Sequence, residues 1–119
     1  MKAILILACS FLFGTSFYYS KSENRLNGNY HVTFTTPGYE NYNIKISNNN
    51  FVKYLQNGDS THGKIKWISD NRFIAKSSQD TSQSCIEIKE RTTGGIKFRT
   101  TYPGNLTTTI NEGEFTLLQ

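Results

Sequence analysis

Histidine and cysteine, the side chains most often used for nucleophilic, acid–base and metal chemistry, are scarce in this chain. The histidines are His31 and His62, and the cysteines are Cys9 and Cys85. None of the four belongs to a His-x-x-x-His, Cys-x-x-Cys or paired-carboxylate motif, the spacings that bring metal ligands or acid–base pairs together. The sequence has no Gly-x-Ser-x-Gly nucleophile elbow, and Gly94-Gly95 is typical of a turn rather than a phosphate-binding loop. We therefore predict a protein that is not an enzyme, with no catalytic residues, no metal and no cofactor.

Basic side chains are the more numerous charged groups: 13 Lys and Arg residues against 9 Asp and Glu residues, a formal net charge of +4. They alternate with aromatic residues along the predicted strands, so rings and charges face opposite sides of each strand. A platform for single-stranded nucleic acid needs both on one side, whereas outward lysines discourage edge-to-edge association of strands. We therefore expect no nucleic-acid partner. The basic residues placed on the solvent-facing side are Lys45, Lys53, Lys64, Lys66, Lys76, Lys89, Lys97 and Arg99.

The start of the chain has the pattern of a secretory signal. Met1-Lys2 provides a positive charge, an apolar run follows from Ala3 to Phe13, and Gly14-Thr15-Ser16 comes next. Signal peptidase requires small side chains just before the cut, which Gly14 and Ser16 supply. We therefore predict a signal peptide over residues 1–16 and an extracytoplasmic mature protein, in the periplasm, at the outer-membrane surface or secreted.

Two other uses of the leader keep the protein in the same compartment. Leu7-Ala8-Cys9 resembles the end of a bacterial lipobox, in which Cys9 would be lipidated and anchor the chain. Alternatively, the stretch from Ala3 to Tyr19 stays uncleaved as an anchor, although it is shorter than the ~20 residues that span a bilayer. In every case membrane contact is made only through the leader or a lipid anchor.

Residues 17–26 show no apolar periodicity and are predicted to be a disordered lead-in. Beyond them, apolar and polar residues alternate, and turn residues such as Asn57-Gly58 separate the alternating segments. Short connections require antiparallel neighbours, and closing the sheet removes its two unpaired edges. We therefore predict an all-β fold over residues 27–119, a small antiparallel meander barrel of about eight strands. The predicted strands are Asn29–Thr36, Asn41–Ser47, Phe51–Gln56, Thr61–Ser69, Arg72–Ser77, Ser84–Arg91 and Ile96–Tyr102. Leu106–Ile110 and Glu114–Leu118 follow, as two segments or as one strand with a kink at Gly113.

Aromatic side chains supply much of the predicted interior. A barrel of about eight strands is either filled by its side chains or holds one small ligand, and the sequence leaves both open. The expected partner of a hollow barrel is a small apolar ligand or a component of the cell envelope, bound by a monomer. The rings predicted to line such a cavity, and therefore to bind the ligand, are Tyr30, Phe34, Tyr42, Trp67 and Phe98.

Two alternative functions use the surface instead of the interior. The first is a protein-interaction module, such as an inhibitor or an envelope assembly factor, that works through the loops around Pro37-Gly38-Tyr39 and Pro103-Gly104. The second is a lipid-anchored envelope protein with a structural role, which would depend on Cys9.

Two stretches of the chain carry a resemblance to a known group of proteins. Gly63-Lys64-Ile65-Lys66-Trp67-Ile68-Ser69-Asp70-Asn71-Arg72-Phe73, preceded by Gly28-Asn29-Tyr30, resembles short exported proteins of Bacteroidetes-type bacteria that are similar to lipocalins in outline. The resemblance implies a β-barrel in the cell envelope and assigns no activity and no site residues. Many members of that group carry a cysteine just after the Asp, where this chain has Asn71, so the resemblance gives Cys85 no disulfide partner there.

Overall fold

The computed structural model describes residues 26–118. The predicted signal peptide, Cys9 and residues 17–25 of the predicted lead-in lie outside them. Within the described range the chain has no helix, and hence none long and apolar enough to cross a membrane. The strands are β1 (Gly28–Phe34), β2 (Tyr42–Ser47), β3 (Asn50–Tyr54), β4 (Ser60–Ser69), β5 (Arg72–Ser77), β6 (Gln83–Thr92), β7 (Gly95–Tyr102) and β8 (Asn105–Leu117).

The eight strands form one closed antiparallel barrel in sequence order, as predicted. Each strand pairs with the next, and β8 returns to pair with β1, with Val32 opposite Phe115 and Phe34 opposite Gly113. This seam leaves no strand edge of the barrel unpaired, which removes the usual template for edge-to-edge aggregation. We call the end that carries the β1–β2, β3–β4, β5–β6 and β7–β8 connections the mouth, and the opposite end the base.

Local turn chemistry fixes the register of the hairpins. Ser47 pairs with Asn50, so Asn48 and Asn49 form a two-residue connection, with φ angles of 51° and 64°. Asparagine tolerates this left-handed backbone better than most residues, and two such residues match the twist of a tight hairpin. The predicted break between the strands ending at Ser47 and starting at Phe51 is therefore a tight hairpin turn.

Some predicted strand ends differ from the observed ones because the regular pairing of the backbone ends earlier. β1 ends at Phe34 rather than Thr36, since the amides of Thr35 and Thr36 both donate to the one carbonyl of Glu112 on β8, at 2.9 and 3.5 Å. β3 ends at Tyr54, because the Leu55 amide already closes the β3–β4 loop by donating to the carbonyl of Asp59. β8 runs through Gly113 as one strand, and its irregular register lies toward the mouth, opposite Thr101 and Tyr102.

Rings and branched aliphatic side chains fill most of the barrel interior. Phe98 and Phe115 meet edge to face with ring centroids 5.1 Å apart, and Tyr30 packs against Phe115 at 5.8 Å. Offset and edge-to-face ring pairs of this kind stabilise a core beyond the burial of their area. Leu26, the last residue of the predicted lead-in, is only 7% exposed and belongs to the same core, so the folded domain includes it.

A glycine makes room for rings at the seam of the barrel. Gly113 lies opposite Phe34 on one side and Phe98 on the other, and these two rings meet edge to face at 5.9 Å. A Cβ atom on Gly113 would lie 2.1 Å from the carbonyl oxygen of Thr33. The close approach of β1 to β8 therefore depends on the missing side chain.

A row of alternating charges crosses the outer face of β5 to β8. Arg72, Glu87, Arg99 and Glu112 are successive register partners. Glu87 accepts a hydrogen bond from Arg99 and lies 3.4 Å from Arg72. The hydrogen bond from Arg99 is the main cause that holds the pKa of the Glu87 carboxyl below its ordinary value, with help from the charges of Arg99 and Arg72. Opposite charges on facing strands contribute to pairing, modestly where they are partly exposed.

Candidate functional site

A cavity of about 90 Å³ remains between the packed rings and the mouth. It lies beneath β2 to β6 and reaches Phe115 on the far side. Its deeper wall is apolar, whereas the strand ends and the β5–β6 loop at the mouth supply polar side chains. The apolar wall consists of Ile44, Ile46, Phe51, Ile65, Phe73, Ala75, Ile86 and Phe115. The polar lining consists of Lys53, Thr61, Ser77, Ser82, Gln83 and Ser84, with Tyr42 beside Lys53.

Lys53 faces the interior, which corrects the predicted solvent-facing position. It pairs with Ile44 on β2, an inward residue, and it lies two residues after the buried Phe51. Because side chains alternate across a strand, Lys53 must share the face of Phe51. The prediction was wrong at this position because it followed the charge of the residue instead of the alternation of the strand.

Tyr42 and Lys53 form the charged corner of the cavity. The Lys53 ammonium lies 4.5 Å from the centroid of the Tyr42 ring, in position for a cation–π contact. Burial lowers the pKa of Lys53 from its ordinary value, and burial raises the pKa of Tyr42 to about 12. Both shifts have the same physical cause, because removing water penalises the charged form of either group.

The polar rim near Lys53 is built from a tightly bonded loop. The Ser77 amide donates to the carbonyl of Ser82 at 3.0 Å, and the Ser78 amide donates to the carbonyl of His62 at 2.9 Å. These bonds hold the β5–β6 connection against β4 and fix its serines at the edge of the cavity. The hydroxyls of Thr61 and Ser84 form no hydrogen bond with any residue from 26 to 118 and are therefore open to a ligand.

Of the five rings predicted to bind a ligand, Tyr42 lines this cavity. Phe34 packs next to Tyr42 at 6.0 Å and joins it to Phe98. Tyr30 and Phe98 are buried in the core, and Tyr30 donates from its hydroxyl to the carbonyl of Asn27 at 3.0 Å. Trp67 lies near the base and packs on Phe73 at 4.8 Å, so it borders the cavity through that ring. The structure thus brings Phe34, Tyr42 and Phe98 together and keeps Trp67 apart.

Most of the cavity wall was not among the predicted site residues. It consists of four isoleucines, Ala75 and the rings of Phe51, Phe73 and Phe115, whereas the predicted rings other than Tyr42 pack beside the cavity and do not line it. The sequence carries no clear signal for Lys53, because Phe51 and Lys53 share one face of β3 whereas Val52 and Tyr54 make the opposite face the more apolar one.

The histidines and the cysteine of the described range lie apart from this cavity. His31 bonds through Nδ1 to Asn43 at 2.7 Å on the outer face, and His62 is exposed. Cys85 is a free thiol with 0% exposure. No group of three or more His, Cys, Asp or Glu residues within residues 26–118 is arranged to hold a metal ion.

The stretches that carry the predicted family resemblance lie in separate parts of the barrel wall. Gly28-Asn29-Tyr30 opens β1 at the base, and the second stretch forms the β4–β5 hairpin, which turns at the base. Membership of the lipocalin-like group remains a prediction. Comparisons of the chain with protein-family models, with curated proteins and with solved structures found no match.

Proposed function

We propose that this chain is a non-enzymatic, exported β-barrel protein that binds one small ligand in the cavity beneath its mouth. The observation that carries the proposal is an apolar-walled space, open at one end of a closed barrel and edged by polar side chains. Ligand sites typically combine an apolar body with a few placed polar groups. The export of the protein rests on the leader over residues 1–16.

The volume limits the class of ligand. An engineered apolar cavity of ~150 Å³ binds benzene, so a space of about 90 Å³ accepts a smaller body. We infer a ligand with an apolar part of about three to five carbons. Porphyrins and buried long acyl chains are too large for this site.

Filling the cavity tests the proposal. Ala75 lies on the cavity wall opposite Ile65 in the β4–β5 register. We expect Ala75→Leu to abolish the binding of small ligands while the barrel still folds, because the added carbons occupy existing space. Binding is measured by NMR shifts of the Ile44, Ile65 and Ile86 methyl groups upon titration with small amphiphiles.

The control is Val52→Leu, which adds a methylene on the outer side of β3 and should leave binding unchanged. Two results would argue against the site: binding that persists in Ala75→Leu, or a wild-type protein whose methyl groups respond to none of the small amphiphiles.

A second candidate function, a protein-interaction module, is favoured by one surface feature. Tyr102 and Leu106 flank the Pro103-Gly104 turn and are 54% and 37% exposed. Exposed apolar side chains around a projecting turn are common in interaction sites. A stoichiometric protein partner, together with a cavity that binds nothing, would favour this function over ligand binding.

A further inference from the structure

Lys53 is a cation that faces the cavity without a compensating anion among residues 26–118. Within this range its ammonium contacts the ring of Tyr42, and no carboxylate lies within ion-pair distance of it. Its register partners are Ile44 and Thr61, both uncharged. Inward charges on a barrel strand are normally paired, because removing water from an isolated ion is unfavourable.

The rim adds hydrogen-bond donors on the same side as the charge. Thr61 is the register partner of Lys53, and Ser84 lies on the β6 side of the same cavity. Their hydroxyls have no partner among the described residues and can donate to an anion. The cavity therefore combines one positive charge and free hydroxyl donors at its mouth with an apolar wall below.

This combination selects a monoanion with a short apolar body. A phosphate monoester carries about −1.5 to −2 charges at neutral pH, more than one lysine balances. A carboxylate carries one charge and accepts hydrogen bonds from both an ammonium and hydroxyl groups. We propose that the ligand is a short-chain carboxylic acid, bound with its carboxylate at Lys53 and its carbon chain against Ile44, Ile65 and Ile86. This inference rests on the proposed ligand-binding function and adds the chemistry of the head group.

Two isosteric probes separate the contribution of the charged head group to binding from that of the apolar body. Isovalerate and isovaleramide have the same carbon skeleton and differ in charge. We expect isovalerate to bind at least 10-fold more tightly than isovaleramide, because only the former pairs with Lys53. Calorimetric or NMR titration of both probes into the purified protein measures the ratio.

Lys53→Met should remove the preference by reducing isovalerate binding at least 10-fold, with isovaleramide binding kept or improved. Lys64→Met is the matched control, since it deletes an equal charge from the exposed face of β4, and it should preserve the ratio. The melting temperature of Lys53→Met shows that the variant is folded. A second readout in the wild type is the pKa of Lys53 followed by NMR, which should rise when isovalerate binds.

The outcomes distinguish this inference from the function on which it rests. Equal binding of the two probes, or an unchanged ratio in Lys53→Met, would overturn the carboxylate head group while ligand binding in the cavity stands. Failure of isovalerate, isovaleramide and neutral molecules of similar size to bind would overturn the ligand-binding function itself.

Discussion

At the scale of single residues, the corner formed by Lys53 and Tyr42 departs most from an ordinary barrel core. A lysine stem and a tyrosine ring supply apolar contact area, while their polar ends are partly buried at the mouth of the cavity. The cation–π contact recovers part of the lost hydration of Lys53, and the ligand carboxylate would recover more. The same corner makes the stability of the fold depend on pH in the alkaline range.

Ionisation of Tyr42 is expected to destabilise the barrel. Burial raises its pKa from 10.0 to about 12, so the folded state holds this proton more tightly than the unfolded state. The stabilisation is complete below pH 10 and is lost as the pH rises from 10 through 12. We expect the wild type to lose up to about 3 kcal/mol more free energy of unfolding over this range than Tyr42→Phe.

Urea denaturation at pH 9 and near pH 12 measures this difference. Tyr54→Phe, which removes a hydroxyl from a ring that is 48% exposed outside the cavity, is the control and should keep the wild-type dependence. A wild type and a Tyr42→Phe variant with parallel pH profiles would show that the Tyr42 hydroxyl is not buried.

At the scale of elements, the seam between β1 and β8 determines whether the chain forms a barrel or an open sheet. The two strands pair from Tyr30 opposite Leu117 to Phe34 opposite Gly113. The seam joins the first and last strands of the chain, so its contacts are the most distant in sequence and form at the greatest loss of chain entropy. Gly113 is the position in this seam where an added side chain would come closest to the backbone of the facing strand.

Gly113→Ala is expected to weaken the seam. The new methyl group would lie 2.1 Å from the carbonyl oxygen of Thr33 and 3.0 Å from Cα of Phe34, so β1 must move away from β8. Overpacking of this kind destabilises by about 1–3 kcal/mol, and a parted seam exposes two strand edges. We expect a lower free energy of unfolding by urea and self-association in size-exclusion chromatography.

Gly94→Ala serves as the control, because nothing lies within 4 Å of a Cβ atom there, and it should be neutral. A Gly113→Ala variant as stable and as monomeric as Gly94→Ala would mean that the seam is looser than the close approach at Thr33 indicates.

At the scale of the whole molecule, the alternation of side chains was sufficient to predict the architecture. All eight predicted strands occur, because short strands with short connections and one apolar face pair with their neighbours, and closure follows from the unpaired edges. The interior was less predictable. Its free volume depends on how rings from distant strands meet over residues such as Gly113, which no local pattern contains.

The candidate site shows the same division between local pattern and long-range packing. Tyr42 was found because aromatic residues were sought. Lys53 was missed because Val52 and Tyr54 make the opposite face of β3 the more apolar one in the sequence, and only the pairing with β2 shows that Phe51 faces inward. Ile44 and Phe115 come to share the wall of the cavity only once β8 pairs with β1 and the barrel closes. Residue type predicted the space-filling part of the interior, whereas the inward position of Lys53 follows only from the pairing of β3 with β2.

Intermolecular NOE measurements on the purified protein with isovalerate test the central claim most directly. The account predicts contacts from the isovalerate methyl groups to the methyl groups of Ile44, Ile65 and Ile86, all on the cavity wall. The Ala75→Leu variant should lose these contacts. NOEs confined to outer-face residues such as Val52, or none to the three isoleucines at saturating isovalerate, would contradict it.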